Sequence, residues 1–250
     1  MFTTIFVLPN YMQPMTTSNE ILQQLKNLGL ESYRNTMLKH GAVEPIYGVK
    51  IEEMKKLMKP IKERHSIAME LYDSGIYDAM YMAGLMAEPA KMAAKELQKW
   101  ADNAKSAGIR EYTVAWVAAE SNHGWEKAIE WIKSKDENLA VIGWNTLCGI
   151  LALKQDTDLE MDQLKDLLKT IAKTIHKSPN RVKYTMNSFV IALGTYVKGL
   201  NELAKKTGAE IGDVTVNMGD TSCKVPNAVE YIEKAEKRNS IGKKKKTVRC

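Results

Sequence analysis

The chain has 250 residues, 44% of them apolar, and 36 basic against 30 acidic side chains give a formal net charge of +6. This composition supports a buried core and excludes an intrinsically disordered chain and, since no run of about 18 apolar residues is present, a membrane-spanning one. Three cysteines without a CxxC pair (Cys148, Cys223 and Cys250) provide neither a disulfide framework nor a zinc site, which favours a reducing, cytoplasmic location.

The sequence divides into a body and two terminal segments. Residues 1–16 contain a short apolar run without a basic start or a small-residue cleavage site, so we predict a flexible N-terminal arm there. Residues 17–238 are predicted to form one helical domain. Residues 239–250 contain the run KKKK at 243–246 and are predicted to be a disordered basic tail.

The body has the apolar spacing of helices from its beginning to its end. Met54, Leu57 and Ile61 mark one helical face, and similar spacing of three and four continues to residue 206, with few Gly or Pro residues. The one alternating stretch, DVTVNM at 213–218, predicts a short extended segment on the side of the helical body.

Four of the predicted helices follow a serine that closes a short turn. These serines are Ser74, Ser106, Ser134 and Ser178. Their unequal spacing suits stacked helix pairs better than a strict array, so the predicted fold is an all-α, HEAT-like solenoid of roughly six helix pairs with a final helix near the C-terminus.

The four segments share a register. Trp116 and Trp144 occupy the same position after their serines, where packing between repeats is the expected role. The position before each tryptophan holds Ala115 or Gly143, and the first segment has Ala83 there, which predicts close contact between helices.

Basic residues concentrate at the starts of these helices and predict a positive stripe along one edge of the stack. The residues are Lys105, Arg110, Lys133, Lys135, Lys177, Arg181 and Lys183. Such a stripe suits a polyanion, and helix N-termini add backbone N–H groups that bind phosphate.

Four segments together resemble the AlkD-like DNA alkylation repair proteins, and their tail segment resembles a bacterial subgroup of that family. They are YGVKIEEMKKLMKPI, REYTVAWVAAES, EWIKSKDENLAVIGWNTL and VNMGDTSCKVPNAVEYIEKA. The resemblance spans roughly residues 20–238. It implies a HEAT-like solenoid, and characterised members of the family remove positively charged alkylated purines from DNA without swinging the base into a pocket.

The resemblance also implies a catalytic set, and this chain departs from it. Active members have a Trp-Asp-x-x-Asp-like run on the helix matching 110–121, but Ala115 stands at the position of the second, key Asp. The family's Arg on the next repeat falls near Ile142 or Gly143, and its second Trp falls near Ile191. The usual catalytic groups are therefore expected to be missing.

Glu111 is the local substitute for the missing acid, because it lies four residues before Ala115 and shares its helical face. An acid in the first turn of a helix is also favoured by the helix dipole, which gives Glu111 a purely structural alternative. Tyr112 and Trp116, also four residues apart, can form an aromatic wall for a sugar or base, or pack in the core.

The leading interpretation is a DNA-binding member of the family that contacts the phosphate backbone of duplex, damaged or branched DNA. One alternative is an active glycosylase for cationic alkylated purines that uses Glu111, and another is a protein-binding scaffold without enzymatic activity. No metal ligand set and no nucleotide-binding loop is present in the sequence, so neither a metal nor a cofactor is expected, and a monomer is favoured.

Overall fold

The structure is a computed structural model, and it describes residues 17–219 and 223–250. The predicted arm, residues 1–16, lies outside the described residues. Regular secondary structure in the described part of the chain is helical, and the chain from 213 to 218 runs without helix or strand assignment. The prediction of an all-α fold is confirmed.

The described residues form thirteen α-helices, several joined by short 3₁₀ turns. The first seven are α1 (Ser18–Leu28), α2 (Glu31–Lys39), α3 (Ile51–Met58), α4 (Arg64–Asp73), α5 (Tyr77–Met86), α6 (Ala94–Asn103) and α7 (Ala115–Glu120). The remaining six are α8 (Gly124–Trp131), α9 (Glu137–Leu153), α10 (Met161–Thr174), α11 (Asn180–Tyr196), α12 (Asn201–Ile211) and α13 (Ala228–Lys237). A π-helical turn, Ile109–Val114, leads directly into α7.

The helices form two layers. One layer is continuous: α5, the π-helical turn with α7, α9, α11 and α13 pack side by side in chain order. The partner helices α4, α6, α8 and α12 pack against it, and α10 adds its buried Leu164, Leu168 and Ile171 to the core. All four helices that were predicted from their serines belong to the continuous layer.

Small residues bring the layers together, as predicted. A Cβ atom placed on Gly143 of α9 would lie 2.8 Å from the backbone nitrogen of Ile132 and 2.9 Å from the carbonyl oxygen of Ala128. Ala83 and Ala115 are buried at the equivalent positions. Since real Cβ atoms do not approach other atoms so closely, only glycine fits at Gly143 without a shift of α8.

The serines close turns and leave the capping of helix N-termini to other residues. The Ser74 and Ser178 hydroxyls donate to carbonyl oxygens of the preceding helical turn. Asp136 is the cap of α9, and its carboxylate accepts from the backbone nitrogen of Asn138 at 2.8 Å. The serine pattern therefore located the helix starts to within two or three residues, and Ser74 and Ser178 close turns as predicted.

Residues 239–250 were predicted to be a disordered tail, and in the structure they lie on the body. The backbone nitrogen of Gly242 donates to the Thr195 carbonyl at 2.9 Å, and that of Lys245 donates to the Ala152 carbonyl at 2.7 Å. The prediction rested on composition alone, and it missed that unpaired carbonyl groups at helix ends provide partners for such a segment.

Candidate nucleic-acid interface

A cleft of about 540 Å³ lies at the N-terminal starts of the helices in the continuous layer. Its walls come from α2, α5, the π-helical turn, α11 and the chain around residue 218. The lining includes Lys39, His40, Tyr77, Glu111, Tyr112, Arg181, Tyr184, Met218 and Cys223. Three of the residues singled out in the sequence, Glu111, Tyr112 and Arg181, therefore meet in one place.

Glu111 and Arg181, 70 residues apart in the chain, form a two-point ion pair across the cleft. Arg181 Nε donates to Glu111 Oε1 at 2.5 Å, and Arg181 Nη2 donates to Glu111 Oε2 at 2.6 Å. The Glu111 side chain is 8% exposed and that of Arg181 is 30% exposed. The hydrogen bonds that Arg181 donates to Glu111 raise the pKa of Arg181. Such a fork-to-fork pair fixes both groups and compensates their charges.

This pair determines what Glu111 can do chemically. Each carboxylate oxygen accepts one hydrogen bond from the guanidinium, so a role as a base or as a partner for the positive charge that develops on a sugar would compete with Arg181 for this carboxylate. Ala115, where the resemblance places the key Asp of the family, is 2% exposed. The substitution of Glu111 for the family's catalytic acid stays a prediction, and in it Glu111 would act while paired with Arg181.

Aromatic side chains continue from the cleft toward the interior. Tyr112 is 48% exposed, and its ring centroid lies 5.3 Å from that of the half-buried Trp116, which in turn contacts Tyr81 edge-on at 5.8 Å. Burial raises the pKa of Tyr112, with the Glu111 charge adding to the effect. Tyr112 presents a ring to the cleft, and Trp116 supports it from behind.

Trp144 packs in the core between repeats, which is the role expected from the sequence. It is 3% exposed and packs edge-on against Phe189 of α11, with ring centroids 5.2 Å apart. The same register position in two repeats thus gives a core residue in one and a supporting residue of the cleft in the other.

Arg110 is not one of the residues that line the cleft. Its guanidinium donates to the carbonyl oxygen of Ala104 at 3.1 Å and also to that of Lys105. Burial is the main reason that the pKa of Arg110 is lowered. This side chain closes the loop before the π-helical turn and is poorly placed to bind a phosphate.

The predicted stripe is of mixed sign. Lys133, Lys135 and Lys177 are exposed and Lys183 is half-buried, while Lys105 is exposed beside a second cavity that includes Lys99 and Ser106. Acidic residues stand among these cations. Glu137 at the start of α9 accepts from the backbone nitrogen of Arg181 at 3.1 Å.

Three residues that the sequence did not single out shape the cleft, namely Tyr184, Asn180 and Asn217. Arg181 lies over the ring of Tyr184 at 4.3 Å. The Asn180 side chain makes two hydrogen bonds with the backbone of Asn217, both 2.8 Å long, and so holds the extended segment beside α11. The run NRVKY around Arg181 contained the signal, since an Arg and a Tyr three residues apart share a helical face.

Among the described residues, no three His, Cys, Asp or Glu side chains are close enough together to hold a metal ion. The described helices include none with the length and apolar character needed to cross a bilayer.

Comparison with known proteins decides the family. A family model described as DNA alkylation repair enzyme matches residues 21–204. The chain belongs to this family. A solved structure described as a new family of proteins related to the HEAT-like repeat DNA glycosylases with affinity for branched DNA structures is 35% identical. It superposes with a TM-score of 0.87 over 94% of this chain and 100% of that chain.

Two curated relatives extend the match without adding an activity. An uncharacterised protein of Listeria innocua is 30% identical over 87% of this chain and 95% of its own length. An uncharacterised protein of Listeria monocytogenes is 29% identical with the same coverage. The resemblance predicted from the sequence and the HEAT-like fold are both confirmed.

In this chain, apolar residues stand at the positions where the resemblance to the DNA alkylation repair family placed the other catalytic groups. Ile142 is fully buried, Gly143 contacts α8 through its backbone, and Ile191 packs half-buried against the second core cluster. Ile191 also borders a shallow groove with Ser188 and Tyr231. The residues next to these positions in the sequence are Val141, Trp144, Val190 and Ala192, so a one-residue shift of the alignment brings no charged group there.

Proposed function

We propose that this protein is a DNA-binding member of the alkylation repair family that recognises branched or otherwise distorted DNA through its backbone, without cleaving glycosidic bonds. The observation that carries the proposal is the Glu111–Arg181 ion pair beside a buried Ala115. It places a forked cation at the cleft and leaves the position of the catalytic acid with a methyl group.

The cleft has the groups that a DNA backbone needs. Arg181 carries two parallel N–H groups that match a phosphate and that Glu111 occupies while the cleft is free, and the exposed Tyr112 ring offers a surface for a sugar or an unstacked base. Unstacked bases and bent backbones occur at branches and are rare in regular duplex. The solved relative with affinity for branched DNA structures supports the same choice of substrate.

Recognition of this kind predicts a defined salt response. Phosphate contacts release counterions, so the binding constant falls with salt and depends little on base sequence. The mixed charge of the helix starts suggests few such contacts, because Glu111 and Glu137 offset part of the cation charge. We therefore expect moderate affinity at low salt and a shallow slope.

The test uses a four-way junction and a duplex of equal length, with binding measured by fluorescence anisotropy across a salt series. Arg181→Ala is expected to weaken junction binding about tenfold and to reduce the salt slope by about one. Arg110→Ala is the matched control, because it removes the same charge from a guanidinium bound to backbone carbonyls. Its slope is expected to equal that of the wild type.

The outcomes separate the alternatives. Equal slopes for the two variants and the wild type would contradict a phosphate contact at Arg181, and absence of binding to either DNA would favour the protein-binding scaffold. Release of a methylated purine by the wild type, lost in Glu111→Gln, would favour the glycosylase.

A further inference from the structure

The C-terminal segment crosses the C-terminal ends of four helices in the continuous layer. Starting at Gly242, it passes α11, then α9, α7 and α5, and it ends with the Cys250 sulfur 3.3 Å from the Tyr81 hydroxyl. These are helices of four different repeats, and they lie at the opposite ends from the cleft. Most of the contacts involve groups that helix ends leave unpaired.

Carbonyl oxygens of three helix ends accept hydrogen bonds from this segment. Lys244 Nζ donates to the Leu151 carbonyl at 3.0 Å and lies 3.0 Å from a carboxylate oxygen of Asp156. Arg249 Nη1 donates to the carbonyls of Leu85 and Ala87 at 3.3 and 2.8 Å. Cations at these positions also complement the negative ends of the helix dipoles.

Glu120, the last residue of α7, is the central anchor. One carboxylate oxygen accepts from the Thr247 hydroxyl at 2.5 Å and from the Val248 backbone nitrogen at 3.0 Å. The other oxygen lies 2.8 Å from Arg249 Nη2, with both side chains largely buried. Val248 also packs on the second core cluster, where Gly149 leaves room for it.

We infer that residues 240–250 form a strap that ties four repeats together and holds the curvature of the layer. In a solenoid, each repeat contacts mainly its neighbours, so bending accumulates along the stack unless something spans several interfaces. This segment spans them. The inference does not rest on the proposed DNA binding, because its anchors, Glu120 and the carbonyl groups that accept from Lys244, Lys245 and Arg249, lie at the C-terminal ends of the helices.

The lysine run has two kinds of members, and this makes the strap testable. Lys244 is 8% exposed and paired, whereas Lys243 and Lys246 are exposed. In an unattached cationic segment, all the lysines would be exposed and their substitutions would have the same effect on cleavage. A strap makes Lys244 different from Lys246, although each substitution removes one charge and one tryptic site from the same run.

The experiment is limited trypsin digestion of the full chain under native conditions, with cleavage within residues 243–249 followed by mass spectrometry. Glu120→Gln leaves the tail sequence unchanged, and it is expected to accelerate this cleavage about tenfold or more, because cleavage follows the population of the open segment. Glu126→Gln, the same change at an exposed position of α8, is the control and is expected to cleave like the wild type.

Trypsin is likewise expected to cleave the C-terminal segment of the Lys244→Ala variant faster than that of the Lys246→Ala variant. Amide hydrogen exchange provides the second measurement: the amides of Lys245 and Val248 are expected to be protected in the wild type and to lose protection in Glu120→Gln, together with the Ala87 amide at the end of α5. Wild-type cleavage as fast as that of a synthetic peptide 239–250, or equal rates for Glu120→Gln and Glu126→Gln, would overturn the strap. Loss of protection in the tail alone, with Ala87 unchanged, would overturn its role in holding the repeats.

Discussion

The Arg181 guanidinium pairs with the Glu111 carboxylate of the same chain, and under the proposed function a DNA phosphate is the second anion that it can bind. Their oxygens can satisfy the same pair of N–H groups, and the 30% exposure of the guanidinium leaves an approach from the cleft. Under the proposed function, Glu111 is an internal competitor for the phosphate: the ion pair holds Arg181 in place while the cleft is free, and breaking it lowers the gain from binding a phosphate.

The competition predicts that Glu111→Gln strengthens DNA binding. The amide keeps the shape of the side chain but no longer compensates the Arg181 charge, so we expect junction affinity to rise about threefold to tenfold at low salt and the salt slope to steepen by about one. Anisotropy titrations of wild type, Glu111→Gln, Arg181→Ala and the double variant measure this. If the gain persists in the double variant, Arg181 is not its source.

Ala115 gives a second prediction at the scale of a residue. Restoring the family's acid with Ala115→Asp places a carboxylate at a position that is 2% exposed. We expect no release of alkylated purine and a loss of about 3–5 kcal/mol in the free energy of unfolding, the usual effect of an uncompensated buried charge.

Urea denaturation measures that loss, and the control is Ala209→Asp, the same change at an exposed position of α12. That variant should lose about 1 kcal/mol or less, mainly through helix propensity. Near-wild-type stability of Ala115→Asp, with purine release, would show that the site can still accept the acid.

The sequence predicted which residues meet at the cleft better than what they do there. Glu111, Tyr112 and Arg181 were each singled out, yet their pairing joins residues 70 positions apart and depends on how the repeats stack. Arg110 could not be separated from Arg181 by residue type, because the difference lies in the nearby carbonyls of Ala104 and Lys105. Contacts between repeats decide these roles, and spacing along the chain does not contain them.

At the scale of helices, the close approach of α8 and α9 at Gly143 gives a prediction. Replacing a helical glycine by alanine normally favours the helix by about 1 kcal/mol. At Gly143 the new methyl group would meet backbone atoms of Ile132 and Ala128, which cannot rotate away. Gly143→Ala is therefore expected to lower the free energy of unfolding by about 1–3 kcal/mol.

Thermal and urea unfolding of the two proteins test this, with Gly199→Ala as the control. A methyl group at Gly199 would have as its nearest neighbour the flexible end of Met161, at 3.3 Å. We expect little change there. A stabilised Gly143→Ala would mean that α8 moves aside at little cost.

The helices and their order were predictable because apolar spacing is a local property of the sequence. The conformations of two segments, the π-helical turn and the C-terminal segment, were not predictable in this way. The π-helical turn at Ile109–Val114 depends on contact with α5, where a Cβ atom on Gly84 would lie 2.7 Å from the Thr113 side chain. The C-terminal segment depends on carbonyl groups at the ends of helices up to about 160 residues earlier in the sequence. Neither leaves a periodic pattern in the sequence.

At the scale of the whole molecule, the described residues contain two hydrophobic clusters that share helices. Val117 and Ala118 belong to the first cluster and Ala119 to the second, and the neighbouring Val141 and Ile142 of α9 are divided in the same way. Since α7 and α9 contribute to both, neither cluster can lose its packing without disturbing the other.

We therefore predict a single cooperative unfolding transition, although long repeat arrays often unfold in steps. Circular dichroism and tryptophan fluorescence are expected to give the same urea midpoint. Fluorescence samples both clusters, because Trp100 and Trp131 lie in the first and Trp144 in the second. Separate midpoints would show that the clusters unfold independently.

The placement of the aromatic residues also provides a label-free reporter. Trp100, Trp131 and Trp144 are enclosed by the core, so their emission is insensitive to events at the surface, whereas the indole of Trp116 touches Tyr112, whose ring borders the cleft. Replacing the half-buried Trp125 by Phe leaves Trp116 as the main indole outside the core. Quenching and spectral shift of that one chromophore would then follow the arrival of a ligand in stopped-flow experiments, without a dye attached to either partner.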